Sequence, residues 1–204
     1  KQVLYNALMA TLNEGDEVLM TDHEYGALVR QWNLWGERNK VNVIQQKIPV
    51  PVTSKKEFVE NFFRGVTIKT KVIFISQITS PTAIIFPLEE IINMAKEKGI
   101  LTIVDGAHVP GHIDINIHEL GCDFFTFSAH KLMGPTGVGV LYGKKELLNQ
   151  MDPFLSGGAM ISEVSLHSVS FNDLPWKFEA GTPNIAQVIG FGAAIDFVQQ
   201  IGMK

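Results

Sequence analysis

Cysteine is almost absent from this sequence: Cys122 is the only one among 204 residues. A single thiol excludes a disulfide framework and suits a reducing, cytoplasmic compartment. No apolar run approaches the roughly 18 residues that a membrane-spanning helix needs, and no segment reads as a signal peptide. Basic residues are not in excess. The formal net charge of −4 argues against a surface that coats phosphate backbones, so neither nucleic acid nor membrane is expected as a partner. Internal repeats, low-complexity stretches and linkers are missing too. What remains is ordinary globular composition, 46% hydrophobic and 19% charged, at a length that buries one sizeable core.

The ends read as cut. Lys1 opens the chain inside an amphipathic pattern (Val3, Leu4, Leu8, Leu12), and Lys204 closely follows another apolar stripe. The expectation is a single domain over 1–204, itself an internal piece of a longer polypeptide.

Apolar strand-like runs alternate with helical periodicity, the pattern of an α/β fold with a mainly parallel sheet. The strand candidates are Glu17–Met20, Val41–Gln45, Val72–Ser76, Leu101–Asp105, Phe124–Ser128 and Val138–Tyr142. Runs such as Val72-Ile73-Phe74-Ile75 are continuous rather than alternating, as expected when helices cover both faces in a three-layer α-β-α arrangement. After Pro87, Leu88, Ile91, Ile92 and Ala95 form one helical face, with Glu89 and Glu90 at its start and Lys96 and Lys98 before Gly99. A second helix is expected from Thr182 as N-cap, with Pro183 next and a stripe of Val188, Phe191, Ile195 and Val198. The glycine-rich stretch between Ser128 and Val138 is too short for a parallel crossover, so the last strand should be antiparallel. Asp152–Lys177 has little periodicity and reads as a long loop.

Ligands of open α/β sheets bind beyond the carboxyl ends of the strands. Four of the proposed strands run into reactive sequence there: Thr21-Asp22-His23-Glu24-Tyr25, Ser76-Gln77-Ile78-Thr79-Ser80, Asp105-Gly106-Ala107-His108 and Ser128-Ala129-His130-Lys131. A carboxylate and a lysine on neighbouring strand ends suit pyridoxal phosphate. The lysine forms an imine with the aldehyde, and the carboxylate keeps the ring nitrogen protonated. Ser128, His130 and the helix start at Thr182 could hydrogen-bond a phosphate.

Each residue also has a plainer reading. Asp105 could cap the next turn, Lys131 could be a solvated surface lysine, and Thr182 could be a helix cap only. His23, His108 and His130 could be structural. Pro110 and Gly111 separate His108 from His112, which argues against a helical metal pair, and no metal site is expected. Cys122, just before an apolar strand, reads as buried filler rather than nucleophile.

Together these residues resemble the class V aminotransferase group of fold-type I pyridoxal-phosphate enzymes. The resemblance is carried by Val104-Asp105-Gly106-Ala107-His108, Phe127-Ser128-Ala129-His130-Lys131, Gly134-Pro135-Thr136-Gly137-Val138-Gly139 and Phe178-Glu179-Ala180-Gly181-Thr182-Pro183-Asn184. It implies Lys131 as the Schiff-base lysine, Asp105 at the pyridine nitrogen and His108 on the ring hydroxyl. Ser128 and His130 would hold the phosphate, and Tyr25, rather than His23, would stack on the ring. Ser80 takes the substrate-side place where cysteine desulfurases usually carry an asparagine. Thr182 would reach the phosphate of the other subunit's cofactor, which implies a homodimer with shared sites. The resemblance also implies parts outside this chain: a phosphate-binding turn before Lys1, and a small domain after Lys204 with a carboxylate-binding arginine and, in desulfurases, the sulfur-accepting cysteine.

Within the family the motifs divide. Thr21–Ala27, Ile78–Ala83 and Asp105–Gly111 are similar to isopenicillin N epimerase-like members. Lys131–Gly139, Gly157-Gly158-Ala159-Met160 and Phe178–Asn184 are similar to cysteine desulfurases. The leading expectation is an isopenicillin N epimerase-like enzyme acting at the α-carbon of an amino acid. A cysteine desulfurase or selenocysteine lyase is the alternative, and a non-catalytic cofactor-binding or dimerisation module is the reading from another class.

Overall fold

The computed structural model describes residues 12–202. The expected amphipathic pattern at Val3, Leu4 and Leu8 lies outside the described residues. Six strands form one sheet: β1 (Glu17–Thr21), β2 (Asn42–Gln46), β3 (Thr70–Ser76), β4 (Leu101–Asp105), β5 (Phe124–Ser128) and β6 (Gly139–Gly143), in the order β2-β1-β3-β4-β5-β6. All neighbours are parallel except β5 and β6, whose ladder runs antiparallel from Phe124↔Gly143 to Ser128↔Gly139. The short glycine-rich connection dictates that reversal.

The continuous apolar runs have a direct cause. Within β1, β3, β4 and β5 alternate side chains enter two different cores. Leu19, Ile73, Ile75, Val104 and Phe125 pack with Phe58, Phe62, Ile91 and Ile92, which come from α2 (Lys55–Phe63) and α3 (Leu88–Glu97). Val18, Met20, Val72, Phe74, Ile103 and Phe124 pack on the other face with Leu28, Trp32 and Trp35 of α1 (Gly26–Asn39). A strand buried on both sides has no polar face to alternate with. Leu88, Ile91, Ile92 and Ala95 are all buried, as their spacing predicts, and Pro87 sits at the N-cap of α3. Two short helices follow, α4 (Ile117–Leu120) and α5 (Lys145–Gln150).

Two expectations are corrected by the structure. The segment 152–177 is not a plain loop: β7 (Ile161–Val164) and β8 (Val169–Phe171) pair as an antiparallel hairpin, followed by a 3-10 turn at Trp176–Phe178. These strands are short and largely exposed, so no inside-outside alternation betrays them in the sequence. The last helix, α6 (Ile185–Ile201), has Asn184 at its N-cap, not Thr182. Ile185 N–H bonds back to the Pro183 carbonyl, so Pro183 precedes the helix instead of opening it. Of its expected stripe, Phe191 is buried and Ile195 and Val198 pack beside it, while Val188 is exposed. Among the described residues no helix is long and apolar enough to cross a membrane.

Candidate active site

The chain steps outward from β1 to the edge strand β2, then returns to the other side of β1 to form β3. The crevice beyond the carboxyl ends of β1 and β3 is therefore a topological switch point. A narrow cleft opens at these strand ends, with Tyr25, Ser76, Ser80, Asp105, His108 and Lys131 in its walls. Four different strand ends contribute: Tyr25 follows β1, Ser76 and Ser80 end and follow β3, Asp105 and His108 end and follow β4, and Lys131 follows β5.

Asp105 is buried, and its Oδ1 accepts the Ala107 N–H at 2.9 Å. It thus caps the turn after β4 and also faces the cleft, so its plainer reading and its functional one coexist. The next residue must be glycine: a Cβ on Gly106 would lie 2.0 Å from the Phe125 ring. Gly106 N–H in turn donates to the Thr126 carbonyl at 2.8 Å, which pins the aspartate turn to β5.

Lys131 ends a single 3-10 turn, Ala129–Lys131, that follows β5. Both Leu132 N–H and Gly134 N–H donate to the Ala129 carbonyl, each at 2.9 Å, and Ala129 N–H donates to Val138. The turn throws the lysine back over the strand ends, where its Nζ lies 3.0 Å from His108 Nε2. A neutral imidazole nitrogen accepts a hydrogen bond from an ammonium, and an imidazole N–H donates one to a free amine. The pair is compatible with either state of the lysine.

Tyr25 and His23 separate clearly. His23 is buried, with ring nitrogens 3.0 Å from Thr82 Oγ1 and 3.2 Å from the Ile48 carbonyl, and its ring packs edge-on to Phe86. It is committed to the scaffold, while Tyr25 lines the cleft. Ser80 is presented by a tight turn in which Ala83 N–H donates to the Thr79 carbonyl and Ile84 N–H to Thr79 Oγ1. Ala83 adopts φ 52°, a left-handed conformation unusual for a residue with a side chain.

The remaining expected residues are not in the cleft wall. Ser128 ends β5 half-buried and His130 is exposed on the 3-10 turn, both adjacent to Lys131. Thr182 is exposed in the segment before α6, and that segment is tied to the post-lysine loop by Asn184 Nδ2 donating to the Gly137 carbonyl at 2.8 Å. Cys122 is fully buried, and burial, with Asp123 beside it, pushes its thiol up to about 12. It is filler, as expected, and no nucleophile. Among the described residues no group of His, Cys, Asp or Glu could hold a metal ion.

One site residue has no strong signal in the sequence. Glu24 is buried beneath the cleft; its Oε2 accepts from both the Ser76 N–H, at 2.9 Å, and the Ser76 hydroxyl, and its Oε1 from the Thr21 hydroxyl at 2.7 Å. Burial pushes its carboxyl up to about 7, and the charge of Asp105 adds to that rise, against the lowering effect of the hydrogen bonds. A glutamate in a polar turn looks like solvated surface until the topology folds that turn inward.

The whole chain, residues 1–204, matches the family model described as aminotransferase class V. The chain belongs to this family. Class V aminotransferases are pyridoxal-phosphate-dependent enzymes. A probable cysteine desulfurase of Halalkalibacterium halodurans is 42% identical over 95% of this chain and 47% of its own length. A cysteine desulfurase of Yersinia pseudotuberculosis is 38% identical over 93% of this chain and 46% of its own length. Among solved structures, the cysteine desulfurase CsdA from Escherichia coli superposes with a TM-score of 0.88 at 32% identity, covering 99% of this chain and 51% of that one. A cysteine desulfurase from Thermococcus onnurineus gives 0.87 at 29% identity, covering 99% and 51%. This class V chain thus spans about half the length of the relatives it matches. The α/β fold with its mainly parallel sheet is the one expected from the sequence.

Proposed function

We propose that the protein to which this chain belongs is a cysteine desulfurase-type enzyme, removing sulfur or selenium from a cysteine-like amino acid. The carrying observation is the placement of Lys131 Nζ 3.0 Å from His108 Nε2 in the cleft that Asp105 also lines. The choice among class V reactions rests on the relatives reported above, which are desulfurases. On that ground the desulfurase reading displaces the epimerase-like one that the sequence put first.

The residues present fit pyridoxal phosphate: an amine, a buried carboxylate and an aromatic ring face one cleft. When bound, the cofactor supplies an electron sink that weakens bonds at the substrate α-carbon. Lys131 is the amine that would hold it, and its Nζ would serve as the general base and acid that moves the α-proton. His108 holds that Nζ in place. Asp105 would be the carboxylate for the ring nitrogen, and Tyr25 would cover the ring and limit water. Ser128 and His130 would be the phosphate ligands on this chain, Ser80 would lie toward the substrate, and Thr182 would reach the partner's phosphate in a homodimer with shared sites. Cys122, buried in the core just before β5 and not in the cleft lining, is not the sulfur acceptor.

The test is sulfide release from L-cysteine by the full-length protein with a reductant present. Sulfide from wild type and none from Lys131→Ala is the expected result. Turnover of L-cysteine without sulfide would refute the desulfurase reading, and activity retained in Lys131→Ala would refute the lysine assignment.

A further inference from the structure

The crevice between β1 and β3, where open α/β sheets place their ligands, is plugged at its floor by a side chain. That side chain is Glu24. It bridges Thr21, the last residue of β1, and Ser76, the last residue of β3. Ser76 is the ladder partner of Asp105, and Gln77 N–H donates to the Asp105 carbonyl at 3.1 Å, so Glu24 sits directly behind the aspartate turn.

A buried carboxyl is an expensive way to join two strand ends, since an amide would make similar hydrogen bonds without a charge. Among the described residues no cation pairs with Glu24. Its neighbours in the turn are committed elsewhere, Asp22 to the Ile48 N–H and His23 to the Ile48 carbonyl and Thr82. From the neighbouring strands the titratable group that acts on it is Asp105, with Lys131 and His108 sharing the cleft beyond. Two of the three partners of Glu24 are hydroxyls, one on each carboxyl oxygen, which donate to a carboxylate and can accept from a carboxylic acid, while the Ser76 N–H donates to Oε2 in either state. The site therefore accommodates either protonation state without moving a heavy atom.

We propose that Glu24 is a positioning residue for the cofactor: a second carboxyl behind Asp105 whose negative charge strengthens the hold of Asp105 on a protonated ring nitrogen. This rests on reading the cleft as the pyridoxal-phosphate site. Without the cofactor, Glu24 faces only another carboxylate, and its ionisation is held back to about pH 7. A cation at the ring nitrogen reverses that balance, so binding favours the ionised form and cofactor affinity gains as pH rises through neutrality.

The experiment measures the dissociation constant of pyridoxal phosphate for the full-length apoprotein, wild type and Glu24→Gln, between about pH 6 and about pH 8.5. The variant-to-wild-type ratio should be near one at the acid end and rise to about threefold or more at the alkaline end. Thr21→Val removes one hydroxyl that stabilises the ionised form, and should move the wild-type inflection up by about one pH unit. A ratio that is constant across pH, whatever its size, would overturn the proposal and leave Glu24 a hydrogen-bonded brace; so would an inflection that Thr21→Val does not move. Wild-type protein that bound no cofactor at any pH would instead overturn the reading of the cleft itself.

Discussion

The central sheet carries a buried or near-buried carboxylate where strands begin, Asp123 just before β5, and another where they end, Asp105 of β4, and it treats the two in opposite ways. At the end away from the cleft, Asp123 accepts from the Thr102 N–H at 2.8 Å and the Thr102 hydroxyl at 3.0 Å, and pairs with Lys144 at 2.6 Å. Its charge is neutralised and its geometry saturated, which is how a structural carboxylate is kept. At the cleft end, Asp105 caps a turn and Glu24 leans on hydroxyls, two carboxyls behind one cavity with no cation pairing Glu24 among the described residues. One end of the sheet thus holds a carboxylate paired with a lysine, and the other holds Glu24, which no cation pairs among the described residues. The cleft end suits an incoming cation, and a protonated pyridine nitrogen is one.

Substitutions can break or sharpen this contrast. Asp105→Asn keeps the acceptor for Ala107 N–H and removes only charge. Turnover of the full-length enzyme should fall about a hundredfold or more, with the thermal midpoint of the apoprotein unchanged or raised. A drop in midpoint would place Asp105 with Asp123 as a structural residue. The second effect concerns Glu24 and stability. Its pKa is raised on folding, so its contribution is complete below about 4.5 and is lost as pH climbs through about 7. Chemical unfolding of wild-type apoprotein should therefore lose about 3 kcal/mol relative to Glu24→Gln over that window. Parallel curves for the two proteins would show that the carboxyl is not held protonated by the fold. The smallest effect is at the other end. Asp123→Ala leaves Lys144 and the Thr102 N–H without their partner and should cost about 1–3 kcal/mol of unfolding free energy. Cofactor affinity should not change; a loss there would mean the two ends are coupled.

Much of the sheet was legible in the sequence because its strands are continuous apolar runs and its helices carry one-sided stripes. Val72–Ile75 and the Leu88, Ile91, Ile92, Ala95 face show both patterns and both are buried as expected. The reversal at β6 followed from chain length alone. The hairpin at Ile161–Phe171 was not legible, because strands exposed on both faces carry no alternation. The start of α6 was misplaced by two residues because Pro183 closes a turn before the helix. That Asp105, His108 and Lys131 converge on one cleft was legible because each ends or follows an apolar strand. The sequence already favours Tyr25 over His23; the structure puts Tyr25 in the cleft wall and His23 on Ile48 and Thr82. Glu24 was missed because nothing in Thr21-Asp22-His23-Glu24 says which way the turn faces.

The hydrogen bonds around Lys131 have a kinetic corollary. Residues 129–138 form a loop closed at its neck by Ala129 N–H on Val138, with Leu132 and Gly134 amides both resting on the Ala129 carbonyl. Those amides have one lock between them, so the loop should open as a unit, and hydrogen exchange at Leu132 and Gly134 should share one rate. Each such opening carries Lys131 away from His108. The frequency of that fluctuation sets how often the Lys131 amine leaves its imidazole partner.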